Sequence, residues 1–236
     1  MLGSALMARL AARDHIAIDR RDGPDIGDRD AMRPLLAGCG VLVHLAAIHP
    51  LVASLNTDYD AENVVPFGAL LDVAQAAGVR RVILASSTSV WRDAPAGMPC
   101  RFIDETVPPD GDGGYSRSKL ACEELLRASG SAHVVFRLAR FARDGDPEDA
   151  VRLLYRAVRP VAAADALVRA IDDERSSGLF ALSAPTPFRP EDAERLSSDP
   201  RAIIRERTGW EPAWVPDRIG SVILSGRAQR ELDWSG

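Results

Sequence analysis

The 236-residue chain contains a single lysine, Lys119, and every other basic side chain is an arginine. Cysteine is also scarce, and the three cysteines lie too far apart for a metal site and are too few for a disulfide framework. No apolar run approaches the roughly 20 residues that span a bilayer, and the N-terminus shows no signal-peptide pattern. These absences predict a cytoplasmic protein with reduced thiols, no metal and no membrane partner.

Positive charge is not concentrated in any segment. The formal net charge is −5, the isoelectric point is near 5.4, and acidic and basic residues are interspersed. A nucleic-acid-binding surface needs clustered positive charge, so no nucleic-acid partner is expected. A small anionic ligand held by backbone amides remains compatible with this composition.

Short apolar runs alternate with amphipathic segments along the first 140 residues. The runs predict strands buried on both faces at residues 15–19, 41–47, 81–87 and 133–139. The amphipathic segments predict helices at residues 4–13, 29–37, 61–77 and 115–129, with Asp28 as an N-cap and Gly130 as a C-terminal stop. This alternation predicts a doubly wound α/β fold with a parallel sheet.

The pattern changes after about residue 140. Residues 142–158 and 161–174 predict helices, residues 178–184 predict a strand, and residues 185–220 are rich in proline, arginine and tryptophan. Such a segment suits a small cap over the strand ends better than an independent domain. We therefore expect a single domain over residues 1–236, to which residues from about 140 onward contribute a small substrate-binding cap.

Polar residues follow the first predicted strand, where an open parallel sheet binds ligands. Asp19 ends that strand, and a carboxylate there can accept both hydroxyls of an adenosine ribose. The alternative is a turn or N-cap aspartate. Arg20 and Arg21 come next and could instead meet a 2′-phosphate. The choice between NAD and NADP is therefore open.

The stretch 85–90, "ASSTSV", carries three serines to the same edge of the predicted sheet. Serine clusters after a strand often form turns by bonding their own backbone. Their position at the end of a buried strand also makes them candidates for holding a substrate.

Tyr115 and Lys119 are four residues apart, so they share one face of the predicted helix. A tyrosine with its ordinary pKa of about 10 is a poor base at neutral pH. A neighbouring ammonium favours the phenolate, so we expect Lys119 to lower the pKa of Tyr115 and allow proton exchange with a substrate. An ammonium also reaches ribose hydroxyls that the planar arginine fork fits poorly. The alternative is that the lone lysine lies here by chance.

Five segments occur in an order that is typical of one family: "VLVHLAA", "NVVPFGALLDVAQAAGVRRVILASSTSVW", "DETVPP", "YSRSK" and "RAQRELDW". Together they resemble the extended short-chain dehydrogenase/reductases, the NAD-dependent epimerase/dehydratases, nearly end to end. The resemblance implies a Rossmann fold, an NAD or NADP cofactor and a Ser/Tyr/Lys catalytic set. It places these roles on Ser87, Tyr115 and Lys119, and Trp91 stands where the family usually has a tyrosine.

The same resemblance implies a set of cofactor-contacting residues, in which Lys119 binds ribose. The others are Gly3 from the glycine loop, Asp25 and Ile26 at adenine, Leu45, Ala46 and Ala47 along the cofactor, and Asn63 near the catalytic tyrosine, in addition to Asp19 and Arg20, which are predicted from their position after the first strand. The helices at 61–77 and 115–129 imply a homodimer through a four-helix bundle. His44 is expected to be a packed strand residue.

Two departures from the family pattern shape the functional prediction. The substrate-binding part is short, which favours a small free sugar or related hydroxy/carbonyl compound over a nucleotide-linked sugar. "MLGSALMARLAARDH" resembles only the last glycine of the phosphate loop and the helix behind it. We therefore expect the natural chain to begin upstream with a strand and two more glycines.

The predicted function is an NAD(P)-dependent oxidoreductase or epimerase. The alternative is a cofactor-free relative that keeps the fold and either performs non-redox chemistry or serves as a binding subunit.

Overall fold

A four-stranded parallel sheet forms the centre of the computed structural model, which describes residues 1–236. The strands are β1 (Val41–His44), β2 (Arg81–Ser87), β3 (Arg101–Ile103), β4 (Ala132–Leu138), β5 (Arg140–Phe141), β6 (Ala157–Val158), β7 (Gly178–Leu182) and β8 (Ser221–Ile223). The central sheet has the order β1-β2-β4-β7, while β3 pairs with β8 and β5 with β6. The doubly wound α/β prediction is confirmed.

The chain forms nine α-helices. They are α1 (Leu2–Leu10), α2 (Arg29–Leu36), α3 (Val65–Ala76), α4 (Gly114–Ala128), α5 (Pro147–Arg152), α6 (Pro160–Asp172), α7 (Ala193–Ser198), α8 (Pro200–Thr208) and α9 (Gly226–Glu231). A single π-helical turn, Asp60–Val64, leads into α3. None of the helices combines the length and the apolar character that crossing a membrane requires.

Alternate residues of the strands supply two separate cores. On one face of β2, Ile83 and Ala85 pack with α1 and α6. On the other face, Val82 and Leu84 pack with α3 and α4. Because both faces of a crossover-linked parallel sheet are covered, its strands are apolar throughout, and this explains why their positions could be predicted.

The predicted helix boundaries have identifiable physical causes. The carboxylate of Asp28 accepts hydrogen bonds from the amides of Asp30 and Ala31, so α2 begins where expected. Gly130 lies beyond the end of α4 with a φ of 69°, the left-handed conformation that glycine adopts without strain. Both predictions are confirmed.

The prediction of a strand at residues 15–19 is wrong. These residues form no ladder, Ile16 is 55% exposed, and only Ile18 packs against a core, together with Leu42 of β1. The edge strand β1 pairs with β2 alone. A strand needs a neighbour to satisfy its backbone groups, and residues 1–40 supply no strand to stand between this segment and β1.

The helix predicted over residues 142–158 is also shorter than expected. Only α5 forms, and Ala157 and Val158 instead pair with β5. Gly145 adopts a φ of 78° before α5, and the carbonyl of Ala157 accepts the amide of Ala184. Backbone pairing with distant segments therefore takes precedence over the local helical pattern.

The later part of the chain contributes to two different layers. Helices α6 and α9 and strand β7 pack in the core of the central sheet. A further core away from the central sheet, which we call the cap core, is built mainly from residues 151–224 together with Cys100. Its buried members are Cys100, Val151, Tyr155, Phe188, Leu196, Ile203, Ile204, Ile219 and Val222. The amide of Ala94 donates to the carbonyl of Gly220 (3.0 Å), which ties the cap core to the segment that follows β2.

Candidate active site

Strand β2 and helix α4 bring the three predicted catalytic residues together at the carboxyl edge of the sheet. Ser87 ends β2, while Tyr115 and Lys119 lie in the first turns of α4. The Lys119 Nζ donates a hydrogen bond to the carbonyl of Ala85 (2.9 Å) and lies 5.8 Å from the centre of the Tyr115 ring. The Ser87 hydroxyl faces the phenol and favours its ionised form.

Tyr115 is buried among other rings. The ring centroids of His49 and Tyr59 lie 5.0 Å and 5.9 Å from its own, both edge-on. Burial raises the pKa of Tyr115 to about 12, and the Ser87 hydroxyl only partly opposes this. The pKa of Tyr115 is therefore raised overall, whereas the sequence analysis expected it to be lowered.

Lys119 is buried as well. Lys119 is 3% exposed, and burial lowers the pKa of its ammonium to about 8. Near neutral pH the site therefore holds a protonated tyrosine beside an ammonium, an arrangement suited to donating a proton to a carbonyl oxygen.

The Lys119 ammonium has donors to spare. An ammonium carries three N–H groups, and Ala85 is its one hydrogen-bond acceptor in the protein. The other N–H groups fit hydroxyls such as those of a ribose. The compact ammonium suits this narrow position better than the planar guanidinium of arginine.

Asn63 joins the turn after β1 to the tyrosine helix. Its Oδ1 accepts the amide of Ile48 (2.7 Å), and its Nδ2 donates to the carbonyl of Ile48 (3.2 Å) and to the Ser118 hydroxyl (3.2 Å). The Ser118 hydroxyl in turn donates to the carbonyl of Tyr115 (2.9 Å). Both N–H groups of the Asn63 amide are used within the protein, so its contacts in this structure are supporting ones. It fixes the stretch Leu45–Ala47 relative to α4.

His49 is a site residue that the sequence analysis missed. The amide of Leu51 donates to its Nδ1 (3.2 Å), so the neutral ring carries its proton on Nε2. Burial, then Lys119 and Arg140, lower the pKa of His49, which favours this neutral form. Its position just past the "HLAA" stretch, at the carboxyl edge of the sheet, was the available signal. His44 is buried and stacked on Phe67 with its pKa lowered to about 3, and the prediction of a packed strand residue is confirmed.

The residues predicted for the adenosine ribose lie on the unpaired segment before α2. The Asp19 carboxylate accepts hydrogen bonds from the Nε (2.9 Å) and a terminal nitrogen (2.8 Å) of Arg21, which lower the pKa of Asp19 to about 2. Arg20 is exposed and lies 3.6 Å from Glu62. Asp19 remains half-exposed, so it can still meet a ribose, in competition with Arg21.

The other predicted adenosine contacts have local structural roles. Asp25 accepts the amide of Gly27 (2.8 Å), and Ile26 packs against the core formed by α2 and α3. Gly3 lies inside α1, and a Cβ there would meet no atom within 4 Å. No close approach requires a glycine at position 3 among the residues of this structure.

A nicotinamide dinucleotide therefore fits this chain unevenly. At the nicotinamide end, the spare donors of Lys119, the stretch Leu45–Ala47 and the pair Ser87 and Tyr115 form a suitable environment. At the pyrophosphate, the amides of a glycine loop before α1 would be needed, and α1 begins at Leu2. Lys119, Ser87 and Tyr115 thus bear on the nicotinamide end of such a cofactor.

The titration of Lys119 can be measured directly because it is the chain's sole lysine. In protein labelled with 13C-lysine, we expect a single Cε resonance that titrates near pH 8 instead of the usual value of about 10.4. Lys119→Arg provides the assignment control, since it must remove the signal. A midpoint near the usual value would contradict the buried position of the ammonium.

Comparison with known proteins identifies the family. The model of the NAD dependent epimerase/dehydratase family matches residues 1–171. A UDP-glucose 4-epimerase from Streptomyces lividans is 33% identical over 115 residues, which cover 46% of this chain and 33% of the relative. A dTDP-4-dehydrorhamnose reductase from Mycolicibacterium smegmatis is 29% identical over 182 residues, which cover 76% of this chain and 54% of the relative. The matched regions thus span about a third to a half of these relatives.

Solved structures share the fold over the whole chain. MoeE5, solved with UDP-glucose and NAD, has a TM-score of 0.68 at 21% identity and covers 100% of this chain and 90% of its own. A short-chain dehydrogenase/reductase superfamily protein from Agrobacterium tumefaciens with bound NAD has a TM-score of 0.71 at 19% identity, covering 100% and 89%. The fold is Rossmann-like, and the chain belongs to the NAD dependent epimerase/dehydratase family.

Proposed function

We propose that this chain carries an NAD(P)-dependent oxidoreductase or epimerase site for a small sugar or a related hydroxy/carbonyl compound. The observation that supports this most is the convergence of a buried tyrosine, a buried ammonium and a serine hydroxyl at one strand end. The family is NAD-dependent, and among the two cofactors we favour NAD.

The residues of the site divide the chemistry among them. Tyr115 donates its proton to the carbonyl oxygen of the substrate, and the Lys119 ammonium stabilises the phenolate that remains. Ser87 and the Nε2–H of His49 hold the substrate oxygen. When bound, the nicotinamide cofactor supplies or accepts the hydride at the substrate carbon. In the reverse direction the phenolate accepts the proton of a substrate hydroxyl.

The short connection between β5 and α6 favours a small substrate. Between β5 and α6 the chain contains one helix of six residues, α5, and the two-residue strand β6. Ile223 of β8 packs with Val90 and Trp91, which follow Ser87 by a few residues. We propose that residues from about 140 onward form the substrate-binding cap here and leave room for a free sugar rather than a nucleotide-linked one.

One set of observations favours the alternative, a cofactor-free relative. Arg21 competes for Asp19, and the pKa of Tyr115 is raised. In that case the protonated tyrosine would act as a proton donor or binding group without hydride transfer. A direct measurement of nucleotide binding separates the two functions.

The proton transfer is tested by Tyr115→Phe. We expect turnover to fall by about 10²–10⁴-fold, the usual loss when an acid/base group is removed, with little change in unfolding. Turnover is measured as NADH formation over a panel of free sugars and sugar acids. Urea unfolding of Tyr115→Phe is followed alongside, so that a loss of turnover is separated from a loss of the fold. A Phe variant at position 115 with wild-type turnover would contradict the assignment.

The uneven cofactor fit predicts an unusual binding profile. We expect NADH and reduced nicotinamide mononucleotide to bind residues 1–236 with similar, weak affinities, because the protein contacts mainly the nicotinamide half. Fluorescence titration measures both, with Lys119→Arg as the variant that weakens both. If NADH bound more than about 100-fold more tightly, or 2.7 kcal/mol, the adenosine half would be held by residues that this proposal does not use. Binding of neither ligand would favour the cofactor-free alternative.

We also propose a homodimer through α3 and α4, although their exposed apolar area is smaller than the sequence suggested. Leu70, Leu71, Val73 and Leu126 are buried in the chain's own core, while Val65 (67%) and Leu125 (38%) remain exposed. A two-fold contact would cover these two residues on both copies. Light scattering should give a dimer at micromolar concentration and a monomer for Leu125→Arg. Leu51→Arg, which alters an exposed leucine elsewhere, should stay dimeric, and a monomeric wild type would refute the proposal.

A further inference from the structure

Behind the candidate active site lies a buried ion pair that the proposed chemistry does not use. The Arg137 guanidinium of β4 forms two bonds to the Glu123 carboxylate of α4, Nε to Oε1 (3.0 Å) and a terminal nitrogen to Oε2 (2.7 Å). Their side chains are only 6% and 14% exposed. The Ser86 hydroxyl donates to the same carboxylate. The Trp91 ring covers the guanidinium at 4.5 Å.

Stability alone is a weak reason for such a pair. Removing two charges from water costs free energy that their attraction often fails to recover, and apolar replacements of similar volume are commonly neutral or stabilising. Nearby on the same face, apolar side chains of β2, β4, α3 and α4 pack together. The elements that the pair connects therefore indicate its role better than its contribution to the free energy of unfolding does.

The pair connects the elements that carry the site. Ser86 and Arg137 are register partners on the neighbouring strands β2 and β4. Glu123 lies one helical turn after Lys119 on α4, so the two share a face. Consecutive residues of β2 are thus bonded to consecutive turns of α4: the carbonyl of Ala85 to Lys119, and the hydroxyl of Ser86 to Glu123.

Ser87 is the next residue of β2, and Tyr115 lies one turn before Lys119. We propose that Glu123 and Arg137 are positioning residues that clamp the end of β2 to α4, set the separation of Ser87 and Tyr115, and keep the Lys119 ammonium at the Ala85 carbonyl. The expected effect of this clamp on turnover rests on the proposed function, whereas the contacts that form the clamp do not.

Electrostatics support this role. Burial lowers the pKa of Lys119, and the negative charge of Glu123 acts in the opposite direction. The titratable and charged groups around Lys119 come from three places: Tyr115, Cys122 and Glu123 on α4, His44 on β1, and His49 and Arg140 at the carboxyl edge. Arg137 is paired with Glu123 and so acts on Lys119 indirectly. Loss of the Glu123 charge should lower the pKa of Lys119 further and leave less ammonium at neutral pH.

The lone lysine makes the clamp measurable without any substrate. We would record the 13Cε resonance of Lys119 against pH in the wild type, Glu123→Gln, Arg137→Met and the apolar double variant Glu123→Leu/Arg137→Met, and follow urea unfolding of each. Glu124→Gln is the matched control, because Glu124 is the neighbouring residue on α4, is exposed and pairs only with Arg127. The double variant keeps the test usable if a single variant fails to fold.

We expect Glu123→Gln and the double variant to lower the Lys119 midpoint by about half a pH unit or more and to shift its resonance, while Glu124→Gln changes neither. The double variant should unfold near the wild-type urea concentration, as apolar replacements of buried pairs commonly do. If Glu123→Gln and the double variant both kept the wild-type Lys119 midpoint and resonance, the pair would be merely structural and the proposal would be overturned.

A turnover arm links the clamp to the proposed function. With an active substrate, Glu123→Gln should lower kcat by up to about 100-fold, the loss that a misplacement near 1 Å produces, with KM little changed and Glu124→Gln unaffected. Unchanged kcat in Glu123→Gln would overturn the positioning role. Absence of turnover in the wild type would instead contradict the proposed function and leave the lysine titration to decide on the clamp.

Discussion

The hydrogen bond from the Lys119 ammonium to the carbonyl of Ala85 unites helix and sheet into one site. A buried ammonium is costly unless polar groups surround it, and here a strand carbonyl supplies one acceptor while spare donors remain for a ligand. The bond crosses from α4 to β2 one turn from Tyr115 and two residues from Ser87. Because Lys119 is buried, its pKa lies near 8, and its charge depends on the charged groups around it.

Other parts of the site are arranged around this bond. Asn63 binds both backbone groups of Ile48 and so fixes the turn after β1, while its third bond reaches Ser118 on α4. That turn carries His49 to the edge of the Tyr115 ring. Three segments that are distant in sequence are thereby held at one sheet edge by buried polar contacts, which are satisfied and therefore specific in geometry.

Much of this arrangement was predictable because its signals are local. The two-sided burial of β2 and β4 and the spacing of Tyr115 and Lys119 are written in short stretches of sequence. The pKa of Tyr115 was not predictable, since its direction depends on burial among His49, Tyr59 and the core rather than on the nearest charge. The predicted strand at 15–19 does not form for a similar reason. A strand needs a partner for its backbone groups, and no strand pairs with these residues. The contact between Glu123 and Arg137 joins different elements, which no spacing rule for one helix reveals.

The two ends of the proposed dinucleotide site differ in the physical basis of their structure. The catalytic end is held by the core: Lys119, Asn63 and Tyr115 are buried, and each depends on contacts with other elements. The adenosine end depends on a segment without strand partners, where Asp19 and Arg20 are largely exposed and bonded to charged neighbours. Because the first end is fixed by packing and the second is not, the geometry for proton transfer does not require that the adenosine end be formed. Catalytic geometry and nucleotide affinity are therefore separable properties of these 236 residues, and a change at one end need not be transmitted to the other.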